Sequence, residues 1–196
     1  RLAQWELENG PIGEGVAVQL KDLYNWELTD VIARDSRSMR GFGDDGHFFH
    51  PEDVVGRVTK EGAKLSGVAE GAEVICGCDD LTAGVIGLGA QAGVLFNLAN
   101  TSEHVGLVGG NAQDEMSWLP PLGNLPALSY NATSTVSGTT SDEREQAVQE
   151  IRKRFPDGEM WIGGGFAMNS QLVESRNAIY KAGQEVSVLG IARLAR

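Results

Sequence analysis

Apolar and polar positions are patterned most tellingly between Glu73 and Ser102. Val74-Ile-Cys76 is a short apolar run that reads as a strand buried on both faces. It leads into Asp79 and Asp80, which then lie at the strand's carboxyl end, where open α/β sheets place their ligands. Asp80 is placed to cap a following helix studded with Gly84, Gly87 and Gly89. The segment from Gly93 to Asn100 predicts a second strand, and Asn100-Thr101-Ser102 a polar turn.

Elsewhere the spacing is mostly helical. Leu20, Leu23, Tyr24, Leu28, Val31 and Ile32 predict a helix over Leu20 to Ala33. Thr59 opens a short helix that Gly67 ends. Thr140-Ser-Asp-Glu143 is a capping box. It opens a helix with Ala147, Val148, Ile151 and Phe155 on one face, ended by Pro156-Asp-Gly158. Met160 to Ile162 reads as a strand. Asn169 is expected to cap a last helix that carries Leu172, Val173, Ile179 and Tyr180 and stops at Gly183. The segments from Arg37 to Pro51 and from 119 to 139 read as loops, the second also as a join between lobes.

Several residues carry two readings. Asp80 is either a general base, held ionised by the helix dipole, or only a cap. Gly84, Gly87 and Gly89 each weaken a helix by about 1 kcal/mol relative to alanine, and tight helix–sheet packing is the favoured compensation. Gly163-Gly164-Gly165 follows a strand and precedes a capped helix. It is either a flexible loop or a turn whose backbone approaches a flat base or a phosphate. His47 and His50 read as exposed loop residues, since a further ligand at metal-binding spacing is missing. Cys76 and Cys78 read as reduced strand residues without a mutual disulfide.

Composition narrows the class. The 196 residues are 41% hydrophobic, enough to bury a core in one domain or two small ones. A formal net charge of −11 argues against nucleic acid or an anionic membrane as main partner. No apolar run approaches membrane length, and the first 20 residues do not read as a signal peptide. With two reduced cysteines, a cytoplasmic location is expected.

Three stretches resemble the FGGY carbohydrate kinases. They run from Asp53 through Gly67, from Val68 through Gly77, and from Asp80 through Gly87. In register with the following Ala83-Gly84, Asp80 matches the family's catalytic aspartate, and Asp79 does not. The family's Gly-Thr-Ser phosphate turn reads Asn100-Thr101-Ser102 here, and Gly163-Gly164-Gly165 with Asn169 resembles the Gly-Gly-Gly turn beside the adenine. The likeness covers residues 52–110 well and 140–175 fairly. There are departures. The glycine of the phosphate turn is replaced by Asn100. The chain is much shorter than family members and opens on Arg1, with no amino-terminal phosphate loop. After Val186-Ser-Val-Leu189 the family's helix-opening glutamate is absent, and the chain runs on to Gly190. Parts of the kinase are therefore expected to be missing.

The resemblance implies an α/β chain of the actin-like, ribonuclease-H-like ATPase fold, two lobes around a cleft, here incomplete. Residues 1–92 correspond to the end of the sugar-side domain and 93–196 to an abbreviated nucleotide-side domain. It implies phosphoryl transfer from ATP, with Mg²⁺, to a hydroxyl of a sugar or polyol. Asp80 is the implied base. Asn100, Thr101, Ser102, Gly163, Gly164, Gly165 and Asn169 are implied to bind the nucleotide, and Asp79 and Asp80 to stand near the metal, through water. A homodimer is left open. The alternative is a non-catalytic remnant that binds a ligand or partner, motivated by the missing phosphate loop and by Asn100. Asparagine tolerates left-handed backbone better than other side chains, so the turn is expected to keep its shape.

Overall fold

The computed structural model describes residues 2–11, 13, 15–39, 47–111, 116–134 and 138–195. The chain forms two compact units, Arg1–Asp79 and Asp80–Arg196.

The first unit contains helices α1 (Leu2–Asn9) and α2 (Leu20–Thr29), strand β1 (Val54–Arg57), helix α3 (Lys60–Ser66) and strand β2 (Glu73–Ile75). Helix α2 stops four residues short of the expected Ala33. Asp30 takes a left-handed conformation (φ 61°) there and donates its N–H to Trp26 O, which closes the helix. Helix α3 is bounded as its sequence predicts: Thr59 Oγ1 accepts the Gly62 N–H at 3.0 Å, and Gly67 ends it at φ 75°. Strands β1 and β2 pair antiparallel as a two-stranded sheet. The Val74–Cys76 run is therefore not a strand buried on both faces. Strand β2 is only partly buried, and Cys76 lies beyond its end. Cys76 and Cys78 are both free and buried. Burial pushes both thiols up to about 12, so they stay protonated. His47 and His50 are exposed. Residues 40–46 of the expected loop lie outside the described residues.

The second unit begins with helix α4 (Asp80–Leu88) and strands β3 (Leu95–Leu98), β4 (Ser102–Val108), β5 (Ser117–Leu119) and β6 (Leu128–Ser134). Helix α5 (Ser141–Arg154), strand β7 (Met160–Gly163), helix α6 (Ser170–Ser175), strand β8 (Ile179–Ala182) and helix α7 (Val186–Leu194) follow. The six strands lie in the order β5-β6-β4-β3-β7-β8. Strands β3, β7 and β8 are parallel, and β4, β6 and β5 add antiparallel neighbours on the other side. All four residues of β3 are buried. One core combines Leu81, Val85 and Leu88 of α4 and Val186 of α7 with Phe96 and Leu98. Another combines Ala147, Val148 and Ile151 of α5 with Leu95, Val105 and Met160. The alternation along β3 thus sends successive side chains to opposite faces.

Two sequence expectations fail here. The segment 119–139 is not a linker: it contributes the end of β5 and the whole of β6 to the sheet, with residues 135–137 outside the described set. The helix opened by Asn169 does not reach Gly183. It ends at Ser175, Asn177 turns the chain at φ 44°, and Ile179 and Tyr180 enter β8. Arg176 fixes this turn, because its buried guanidinium donates to Asn97 Oδ1 at 2.7 Å and to Glu145 Oε1 at 2.5 Å, and pairs with Glu103. Helix α7 is preceded by Glu185, whose side chain accepts the Gly183 N–H at 3.3 Å.

Candidate functional site

The second unit brings a helix start and two turns to one cavity of about 630 Å³. Its walls include Asp80, Asn100, Thr101, Ser102 and Gly165, which come from three separate stretches of sequence. Asp80 is the first residue of α4, one place inside the helix, and not the cap outside it. Its Oδ1 accepts the Leu81 N–H at 2.9 Å. The carboxylate is exposed and stands at the amino-terminal end of the helix. An ionised carboxylate facing open space can accept a proton from a hydroxyl.

The second wall is the turn between β3 and β4. Register pairs Leu98 with His104, so Ala99 to Thr101 close the connection. The third wall is the Gly163–Gly165 turn after β7. These two turns are bonded to one another. The Phe166 N–H donates to Ala99 O at 2.9 Å, and the Gly165 N–H donates to Asn100 Oδ1 at 2.8 Å. Among the described residues, only Asp30 and Asn177 are non-glycines with positive φ. Asn100 therefore does not exploit left-handed backbone. Its side chain, not its dihedrals, holds the turn.

The three glycines separate. A Cβ on Gly163 would stand 2.7 Å from Leu88 Cδ2, so that glycine is required by packing. Gly164 has φ 106°, and its N–H donates to Ala182 O and Gly183 O, each at 3.2 Å. Gly165 alone of the three lines the cavity. Asn169 accepts the Gln171 N–H at 3.0 Å as the cap of α6 and is outside the lining. Asp79 is also outside it. No group of three or more His, Cys, Asp or Glu among the described residues could hold a metal ion. Asp80 is the one carboxylate of the cavity lining among the described residues, so the residues present would fit Mg²⁺ as a single nearby carboxylate and not as an all-protein cage.

Sequence reasoning missed Leu81, Leu98, His104, Phe166, Gln184 and Ser187, which also line the cavity. Phe166 directly follows the glycine turn, and that adjacency was a usable signal. Ser187 donates to Asp80 O at 3.3 Å from α7, a helix without an assignment from sequence. A separate groove of about 580 Å³ along α5 and β6 contains none of the expected site residues.

The sequence matches no family model and no curated protein. Solved structures do match. The xylulose kinase from Rhodospirillum rubrum superposes with a TM-score of 0.65 at 12% identity, over 89% of this chain and 57% of that one. The gluconate kinase from Lactobacillus acidophilus gives 0.66 at 13%, over 91% and 58%. The Plasmodium falciparum glycerol kinase solved with ADP gives 0.70 at 11%, over 97% and 61%. The fold is the actin-like ATPase fold of these sugar kinases. Identities of 11–13% establish that fold alone. The chain spans 57–61% of the length of these three structures. No helix among the described residues is long and apolar enough to cross a membrane.

Proposed function

We propose that the protein phosphorylates a hydroxyl of a sugar or polyol at the expense of ATP. One observation carries the reading: Asp80, Thr101, Ser102 and Gly165 line a single cavity in a chain folded like the sugar kinases. Phosphoryl transfer needs alignment and charge neutralisation more than covalent help. Asp80 accepts the acceptor hydroxyl's proton and orients its oxygen. The hydroxyls of Thr101 and Ser102 and the backbone at Gly165 face the phosphates. Mg²⁺, when bound on those phosphates, supplies positive charge, which the cavity needs because Asp80 makes it acidic. In this reading residues 1–92 belong to the sugar side and 93–196 to the nucleotide side, and the acceptor is a small molecule.

A coupled ADP-release assay across pentuloses, hexoses and polyols tests the reading. Turnover that depends on one acceptor class is the expected result. ATP consumption that no acceptor stimulates, together with no calorimetric binding of MgATP, would sink it and leave the non-catalytic remnant standing.

A further inference from the structure

Arg144 is a buried arginine on α5 that the proposed chemistry does not use. Its guanidinium ends beneath both turns of the cavity. One terminal nitrogen donates to Thr101 O at 2.8 Å and to Asn100 O at 3.3 Å. The other pairs with Glu103 Oε2 at 3.4 Å. The same group lies 5.3 Å from the centroid of the Phe166 ring, directly after the glycine turn. A single planar cation thus touches the Asn100–Thr101 turn through two carbonyls and the Gly165–Phe166 turn through a ring face.

This is a costly way to stabilise a fold. Among the described residues, buried Arg144 Nε has no hydrogen-bond partner. Glu103 already has Arg176 as a close ion-pair partner and accepts from Asn97 at 2.8 Å. Burying a second guanidinium with an N–H unsatisfied is expected to be weakly favourable at best. The geometry favours a role at the turns. Carbonyls of a tight turn repel an anionic ligand, and a cation bound to them offsets that dipole and fixes the peptide planes.

We propose that Arg144 is a positioning residue for the nucleotide: it clamps the two turns together from below and sets the peptide planes that meet the phosphates. The proposal rests on the kinase reading. It names a residue that touches neither substrate nor reacting atoms, so its effect falls on MgATP binding and not on the acceptor.

The test compares Arg144→Met and Arg144→Lys with Arg176→Met in the intact protein. Arg176 is also buried and shares Glu103, but its other side-chain bonds among the described residues go to Asn97 and Glu145. Thermal melts, MgATP titrations, acceptor KM and hydrogen exchange of the 98–103 and 163–168 amides are read for each. Arg144→Met is expected to weaken MgATP by about tenfold, the scale of one lost charged hydrogen bond. Acceptor KM should hold, and exchange at both turns should rise. Arg144→Lys should restore part of the affinity. Arg176→Met should lower the melting temperature while exchange at the turns and MgATP affinity stay as in the parent. Equal exchange at both turns in Arg144→Met and Arg176→Met would overturn the clamp whether or not nucleotide binds. Parent protein that binds no MgATP would overturn the kinase reading, and with it the ligand assigned to the clamp.

Discussion

The glycines at the α4–α7 contact and Gly165 of the turn after β7 are alike in sequence and opposite in use. A Cβ on Gly87 would stand 1.8 Å from Val186 O, and one on Gly190 would stand 1.7 Å from Ala83 O. The backbones of α4 and α7 touch at these points, and no side chain fits between them. A Cβ on Gly165 would meet only Asn100 Oδ1, at 3.8 Å. The first pair is glycine because the interior is full. Gly165 is glycine beside an open cavity. What a missing Cβ would touch separates a packing glycine from a site glycine, and glycine density along the chain does not.

The largest expected effect breaks the contact between helices. Gly87→Ala forces a methyl into a carbonyl that belongs to a packed helix. Overpacking of cores costs typically 1–3 kcal/mol, and a backbone-on-backbone clash falls at about 3 kcal/mol or more. For a chain of this size that is a fall of about 6–12 °C in melting temperature. A calorimetric scan checks it. A melting temperature within a degree or two of the parent would mean that α4 and α7 are not in backbone contact.

The body of α4 is packing, but its first residue faces the cavity, so the next test separates the two ends of one helix. Asp80→Asn keeps the size and hydrogen-bonding shape of the side chain and removes the proton acceptor. Sugar phosphorylation should fall by about 10²–10⁴-fold, the usual contribution of a general base, with little change in stability. Asp79→Asn, outside the cavity lining, should cost less. Steady-state rates and melts of both variants decide. Full activity in Asp80→Asn would refute its assignment as base.

These contrasts also mark how far the sequence could be read. Capping chemistry was legible because it is local: Thr59 with Gly67 and Thr140 with Glu143 bound their helices as their spacing predicts. The sequence order of helix, strand and polar turn after Asp80 was legible for the same reason. Sheet membership was not. Strand β6 carries Ser129, Asn131, Thr133 and Ser134, whose polarity reads as loop, and its place beside β4 comes from distant pairing such as Val105 with Asn131. Nor was the end of α6, where a network among buried Asn97, Glu103 and Arg176 and half-buried Glu145 outweighs helical spacing. The candidate cavity was legible in part. Asp80, Asn100, Thr101, Ser102 and Gly165, singled out by register within motifs, line one cavity, whereas Arg144 is one charge among many on α5 and carries no local signal.

Gly165→Ala examines the other side of the comparison. The methyl has room, so the melting temperature should stay within about 2 °C of the parent. Because the residue lines the cavity, the methyl enters ligand space, and MgATP should bind a few times more weakly, a change of about 1 kcal/mol. Isothermal titration reads this directly. Unchanged affinity would place the nucleotide away from the turn. Loss of stability would make Gly165 a packing glycine after all.

The smallest effect concerns the contact that links the two turns. Asn100 Oδ1 accepts the Gly165 N–H at 2.8 Å, so that donor is engaged by protein where a phosphate would otherwise compete for it. Asn100→Gly removes the acceptor and has two opposed consequences. The turn loses one hydrogen bond, worth about 1 kcal/mol net, and gains backbone freedom costing up to about 1 kcal/mol. The freed N–H can instead meet a phosphate oxygen, a charge-assisted bond worth about 1.5–3 kcal/mol. The lost brace lowers the stability of the free protein, and the new bond adds to affinity only when nucleotide is present. The difference favours binding by about 1 kcal/mol or less, a tightening of MgATP by about two- to fivefold with a slightly lower melting temperature. Asn100→Ala, without the added freedom, should tighten binding at least as much. Weaker binding in both variants would show that Asn100 itself serves the nucleotide. No change in either would place the phosphates away from this turn.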